Sequence, residues 1–300
     1  MRLELSWVRG GVATIVSVIL ASCATSSAPP PVARGGGYVD VGLAGEAAAF
    51  ESFTRKASAI PPAFSSPAAV ADGLQTGAAY DPRQLQSGMI AYAAMAALQE
   101  PGFVAAVKRQ NGRDLARRLS ADPDTALSLP GGAAAAGRAS AALARRGEAL
   151  ADAGQRVKRS AYTVQREAWS RARVPNAAAR LARVKQAASY QRGDSDTTTR
   201  LVAAVSEGGH RGGSSPVVSR GVALAALTVL GQDGPARSLM TEPRSGMCLR
   251  LAKLNFHQCL ASAGTHYEDI YCLGVHALAE TGQCVVAATR QAPVTRRAAL

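Results

Sequence analysis

The chain has 300 residues, a formal net charge of +13 and aromatic side chains at only 5%. That length is enough for one large or two small domains with real cores, and the alanine-rich composition, with no run of alternating β-branched residues, predicts an all-α fold and excludes a sandwich or barrel. The charge is concentrated in residues 101–200, which hold 19 Lys and Arg against 8 Asp and Glu, but too few aromatics interleave with the arginines to stack bases, so nucleic acid is not an expected partner.

At the amino terminus, Arg2 and Arg9 flank Glu4, and Gly10 to Leu20 forms an apolar run too short to span a bilayer as a mature helix. Leu20-Ala21-Ser22-Cys23 follows. This order resembles the type II signal peptide and lipobox of bacterial lipoproteins. The resemblance implies cleavage after residue 22, a diacylglycerol on the Cys23 sulfur, acylation of its new amino group, and a membrane partner through that anchor. Ala24 after the cysteine is similar to lipoproteins passed to the outer membrane, which places the protein on its periplasmic face in a Gram-negative cell. An ordinary secretory signal and an uncut membrane helix are the competing readings. Residues 23–42, rich in Ser, Pro and Gly, read as a tether with an r.m.s. reach on the order of 25 Å.

Residues 43–130 read as a helical array: one helix over 43–59, then openings at Ser66-Pro67, Asp81-Pro82, Pro101 and Asp122-Pro123, where a capping side chain or a proline at the first helical position starts each turn. Residues 131–206 carry the long basic helices. The first runs from Ala133 to about Arg173, where Leu143, Leu150, Val157 and Val164 recur every seven residues, each followed four places later by Gly147, Gly154, Ala161 or Ala168. Such a seam predicts a partner helix lying close along it. The opposite face carries Arg138, Arg145, Arg156, Arg159, Arg166 and Arg173, and Arg180, Arg183 and Lys185 extend this basic surface on a second helix from Asn176 to Tyr190. A connector over 193–199 and a short helix from Arg200 to Ser206 follow, then a mobile glycine-rich loop over 207–215, then the C-terminal helices of 216–286, the first of them Pro216 to Leu230. Residues 287–300 read as a disordered tail.

Of the five cysteines, Cys23 is assigned to lipid, which leaves Cys248, Cys259, Cys272 and Cys284 as an even set in an oxidising compartment. They sit in two expected helices, Met247 to Ala263 and His266 to Thr281, with Gly264 as the left-handed residue that ends the first and the chain curling back past Gly282. Cys248 and Cys259 lie roughly 16 Å apart along one helix, too far to bond. Nested pairing, Cys248 with Cys284 and Cys259 with Cys272, matches the levels of the two arms, whereas crossed pairing mismatches them by roughly 15 Å. The arrangement resembles twin-cysteine helical hairpins, but it has ten and eleven intervening residues instead of nine. A metal site joining these cysteines to His257, His266 or His276 lacks the close ligand pairs that zinc prefers.

No serine elbow, paired-histidine zinc helix or phosphate-cradling loop occurs, so no catalytic residue, metal or cofactor is expected. Glu268-Asp269 reads as a solvated helix start rather than an acid–base pair. The expected function is a non-enzymatic envelope lipoprotein that scaffolds or docks an envelope protein. The alternatives are a binding module for anionic lipid or glycan through Arg145, Arg156, Arg159 and Arg166, and a cell-wall hydrolase. Mass spectrometry of the membrane-derived protein should find residues 1–22 removed and lipid on Cys23. Cys23→Ser should stay uncut, and an unmodified Met1 in the wild type would refute the anchor.

Overall fold

In a computed structural model of the chain, residues 38–188, 195–212, 214–232 and 236–290 are described here. Cys23 and the expected lipobox lie outside them. Every regular element among the described residues is helical, apart from an isolated bridge between Arg173 and Thr265.

The expected capping signals open the helices. Ser66 Oγ accepts from the Ala69 amide at 3.3 Å to start α2 (Pro67–Ala78), and Asp81 Oδ1 accepts from the Arg83 and Gln84 amides at 2.8 and 3.0 Å to start α3 (Pro82–Ala97). α1 (Tyr38–Ser58) precedes them, beginning earlier than expected, and α4 (Pro101–Lys108) and α5 (Gly112–Ala121) follow. α10 (Pro216–Leu230) starts in the same way, with Ser215 Oγ accepting from the Val218 amide at 3.1 Å.

α6 (Gly132–Val164) is the long helix, and it stops short of Arg173. The Ser170 hydroxyl donates to the Val164 carbonyl, and to Glu167 O at 3.0 Å, which satisfies the helix end and folds the next residues into the single turn of α7 (Ala168–Arg171). α8 (Ala177–Ala187) opens on Asn176, whose φ of +53° is one that asparagine tolerates better than most residues. α9 starts at Ser195, earlier than expected, and a short α11 (Ala236–Leu239) was not anticipated.

The cysteine hairpin consists of α12 (Pro243–Ser262) and an arm that runs without a break from His266 to Ala287: α13 (His266–Cys272), a π-helical stretch (Leu273–Glu280) and α14 (Thr281–Ala287). Cys248–Cys284 and Cys259–Cys272 are both bonded, with Cα separations of 5.7 and 5.6 Å, so the nested pairing holds. Two local expectations fail. The chain does not curl at Gly282, because that glycine serves close packing within a helix. Nor is Gly264 left-handed, because Arg180 takes over the carbonyls at the end of α12. The expected tail is ordered at its start, with Ala288 and Thr289 buried; residues 291–300 lie outside the described set.

The partner for the α6 seam is this second arm, running antiparallel to it. A Cβ placed on Gly154 would meet Ala279 N at 2.4 Å and Gly274 O at 2.6 Å, and one on Gly147 would meet Gly282 O and Val286 N at 2.9 Å. The contact is reciprocal: a Cβ on Gly274 would lie 2.5 Å from Lys158 N, and one on Gly282 2.4 Å from Ala151 N. The arm has the length and apolarity of a membrane span, yet it is mostly buried here, between α6 and α12. Residues from Leu43 to Ala288 share one hydrophobic core, with Phe50 against Tyr92 and Phe53 against Tyr80 at its aromatic end.

Gly154→Ala should lower unfolding stability by about 2 kcal/mol or more through overpacking. Gly45→Ala on α1, where an added Cβ meets nothing within 4 Å, should raise it by about 0.5–1 kcal/mol. Urea unfolding of the two variants checks the contrast, and equal effects would refute the close-packing account.

Candidate docking surface

The face that α12 turns away from the core stands out by its chemistry. Leu249, Ala252, Phe256 and Leu260 are buried against the rest of the fold. On the opposite side Met247, Leu251 and Leu254 are 51%, 49% and 48% exposed. Their spacing of four and three residues makes one stripe. Arg244 and Arg250 are exposed beside it, and α12 contains no Asp or Glu. A helix that is apolar on two faces can bury only one of them in its own core. That double pattern is present in the sequence of α12, where the apolar residues at 247, 251 and 254 alternate with those at 249, 252, 256 and 260.

Four tethers hold the stripe in place. The disulfides fasten α12 to the arm at Cys248 and Cys259. Glu242 caps its start, accepting from the Ser245 amide at 2.7 Å and the Arg244 amide at 3.1 Å. Arg180 closes its end: one Nη donates to Leu260 O and, at 3.2 Å, to Ala263 O, while the other donates to Asp269. Arg180 is therefore no part of the basic surface expected of α8; it is 4% exposed, and Asp269 is 1% exposed. The expectation of a solvated Glu268-Asp269 start is corrected accordingly. Burial pushes the Asp269 carboxyl up to about 6 against the opposing pull of Arg180. Glu268 Oε2 accepts from the Gly264 and Thr265 amides at 2.6 and 2.9 Å.

Another buried charged side chain lies on the inner side of α12. Lys253 Nζ donates to Ala78 O at 2.6 Å and Tyr80 O at 3.3 Å, and sits 4.1 Å from the Tyr80 ring centroid. Burial pulls this amine down to about 7, with Asp81 acting the other way. Nearby, burial together with Lys253 and Lys185 lowers His257 to about 4. Asn255 Nδ2 donates to Glu280 Oε2 at 3.0 Å, and His276 Nδ1 lies 2.8 Å from Glu280 Oε1, which pins the π-helical stretch to α12.

The residues expected to bind anions are not one patch. Arg145 donates to Glu207 O at 2.6 Å and Gly208 O at 3.1 Å, and so ties the glycine-rich loop to α6. Arg211 adds an ion pair with Glu148 at 2.8 Å, so the loop is fastened where mobility was expected. Arg156, Arg159 and Arg166 are exposed, with no ion pair among the described residues. The four C-terminal cysteines are spent in disulfides, and among the described residues no three His, Cys, Asp or Glu side chains converge as metal ligands.

No protein-family model, curated protein or solved structure matches the chain.

The depressed Lys253 pKa gives a pH test. The native state binds fewer protons than the unfolded chain between about 7 and the ordinary 10.5, so this group makes stability rise with pH across that window. Burial raises the Tyr80 hydroxyl well above its ordinary value of 10.0, and that group acts in the opposite sense above it. Urea midpoints should therefore climb from pH 7 to 10 in the wild type and flatten in Lys253→Met. Parallel profiles would rule the linkage out.

Proposed function

We propose that the protein is a non-enzymatic component of the cell envelope, held to a membrane by lipid on Cys23, that docks a partner protein through the outer face of α12. The observation that carries this reading is the Met247, Leu251 and Leu254 stripe, apolar, half exposed and braced at both ends by disulfides. Rigid presentation lowers the ordering cost of association, because little side-chain and backbone freedom remains to be lost. Arg244 and Arg250 on the same helix, which itself contains no Asp or Glu, favour a partner helix whose apolar side is flanked by Asp or Glu. The lipid and the Ser-, Pro- and Gly-rich segment between Cys23 and α1 supply proximity, which raises the effective concentration of such a face near membrane-bound partners.

A photo-reactive residue placed at Leu251 or Leu254 in the anchored protein should cross-link one discrete partner in intact cells, whereas the same group at exposed Gln110 should not. Adding Met247→Glu should abolish the adduct without changing the melting temperature by more than a few degrees, as expected for a surface substitution. No adduct at either position, or equal adducts at all three, would overturn the reading.

A further inference from the structure

Where the end of α6 meets the start of α13, a cleft of about 370 Å³ opens over the Cys259–Cys272 disulfide, and none of Met247, Leu251 and Leu254 lines it. That volume falls in the range of small-ligand sites, roughly 300–1,000 Å³. Its walls are Tyr162 on α6 and, one turn apart on α13, Tyr267 and Tyr271. Tyr162 is 58% exposed and meets Tyr271 edge-on, at 6.1 Å between ring centroids and 78° between planes. An edge-to-face contact covers a single ring face, so the exposed Tyr162 keeps a flat apolar surface open to solvent.

The rim of the cleft is polar and rich in acceptors. Gln165 follows Tyr162 by three residues, which places it beside that ring on the helix surface, and it is exposed. The Ser262 hydroxyl spends its proton within α12, on Gln258 O at 3.0 Å and Cys259 O at 3.2 Å, so its lone pairs remain to accept. Glu268 takes the Gly264 and Thr265 amides through Oε2, and its Oε1 has no part in either bond. Glu268 is also the only charged side chain that lines the cleft. Burial works to raise its pKa, but the two amides and the Arg180 guanidinium outweigh it, hold the group ionised and answer its charge. Lys158, whose Nζ sits 5.9 Å from the Tyr271 ring centroid, and exposed Arg159 stand outside the lining.

We infer that this cleft binds a neutral sugar unit of a glycan, with the C–H face of the pyranose ring on Tyr162 and its hydroxyls on Gln165, Ser262 and Glu268. A pyranose carries a flat face of C–H groups that packs on an aromatic ring, and around its edge hydroxyl donors that match the acceptors of the rim. An anion meets a carboxylate and acceptor oxygens, with no cation in the lining. An organic ammonium meets Lys158 and Arg159 on approach, and the carboxylate it needs is already answered by Arg180. The inference does not rest on docking through α12.

Calorimetry on the full mature chain, in a detergent without a sugar head group, tests this. Short cello- and chito-oligosaccharides serve as neutral probes, an oligogalacturonide as the anionic one and a de-acetylated chito-oligosaccharide as the cationic one. At least one neutral probe should bind, and neither charged probe should bind more tightly than it. Tyr162→Ala, at an exposed position, should weaken that neutral probe by about tenfold, the scale of losing one ring contact, whereas Tyr162→Phe, which keeps the ring, should change it less than about twofold. Gln165→Ala should weaken it by about threefold or more, and Gln110→Ala, at an exposed position elsewhere, by less than about twofold. The inference fails if no neutral probe binds, if a charged probe binds more tightly, if Tyr162→Ala leaves binding intact, or if the two glutamine variants weaken it equally.

Discussion

The structure depends on one contact, the approach of two helix backbones through four glycines. Gly147 and Gly154 on α6 face Gly282 and Gly274 on the hairpin's second arm, and at each of the four an added methyl would strike backbone atoms. Seven residues separate the first pair and eight the second, so two ordinary α-helices would drift out of step. The π-helical stretch Leu273–Glu280 contains Gly274 and ends two residues before Gly282, and its wider turn takes up the extra residue. Once that arm is fixed on α6, the two disulfides carry α12 with it. The outer face of α12 is then left without a covering element among the described residues, and three large apolar side chains are half exposed there.

Cations finish the ends of helices across the fold. Lys253 donates to the carbonyls that close α2, Arg180 to those that close α12, and Arg145 to those just past α9. Each meets the unpaired carbonyls and the negative end of the helix dipole at once. Part of the large positive charge is thus spent inside the structure, where helices end on alanine, serine or glutamate instead of a left-handed glycine. Arg180 shows the cost of the device: removing either partner of such a buried pair strands the other, at about 3–5 kcal/mol.

Much of this was legible in the sequence because the signals are local or periodic. Ser66-Pro67 and Asp81-Pro82 open helices by chemistry contained within four residues. The Leu143 to Val164 seam announced a close partner because small residues at fixed spacing have few other uses. The levels of the four cysteines on two helices fixed their pairing. What stayed hidden needed the third dimension. Arg180 reads like Arg183 until the end of α12 is seen to lie over it. Asp269 reads as a solvated first-turn acid until that same arginine is placed. The π-helical stretch has no side-chain signature, since it arises from register against a neighbouring backbone.

The partners along α6 are unevenly distributed. Its first half runs beside α1, α3 and the loop after α9, and there Arg138 meets Glu100 at 3.1 Å, Arg146 meets Glu51 at 3.7 Å and Arg145 meets Glu207 at 3.7 Å. Beyond Gly154 the neighbours are the apolar arm and its tyrosines. They cover the seam, and among the described residues no acid pairs with Arg156, Arg159 or Arg166. Exposed guanidinium groups have a field that falls off within about a Debye length, roughly 8 Å at physiological salt. Close packing through Gly274 and Gly282 thus covers the seam of α6, while these arginines stay exposed and without an ion pair among the described residues.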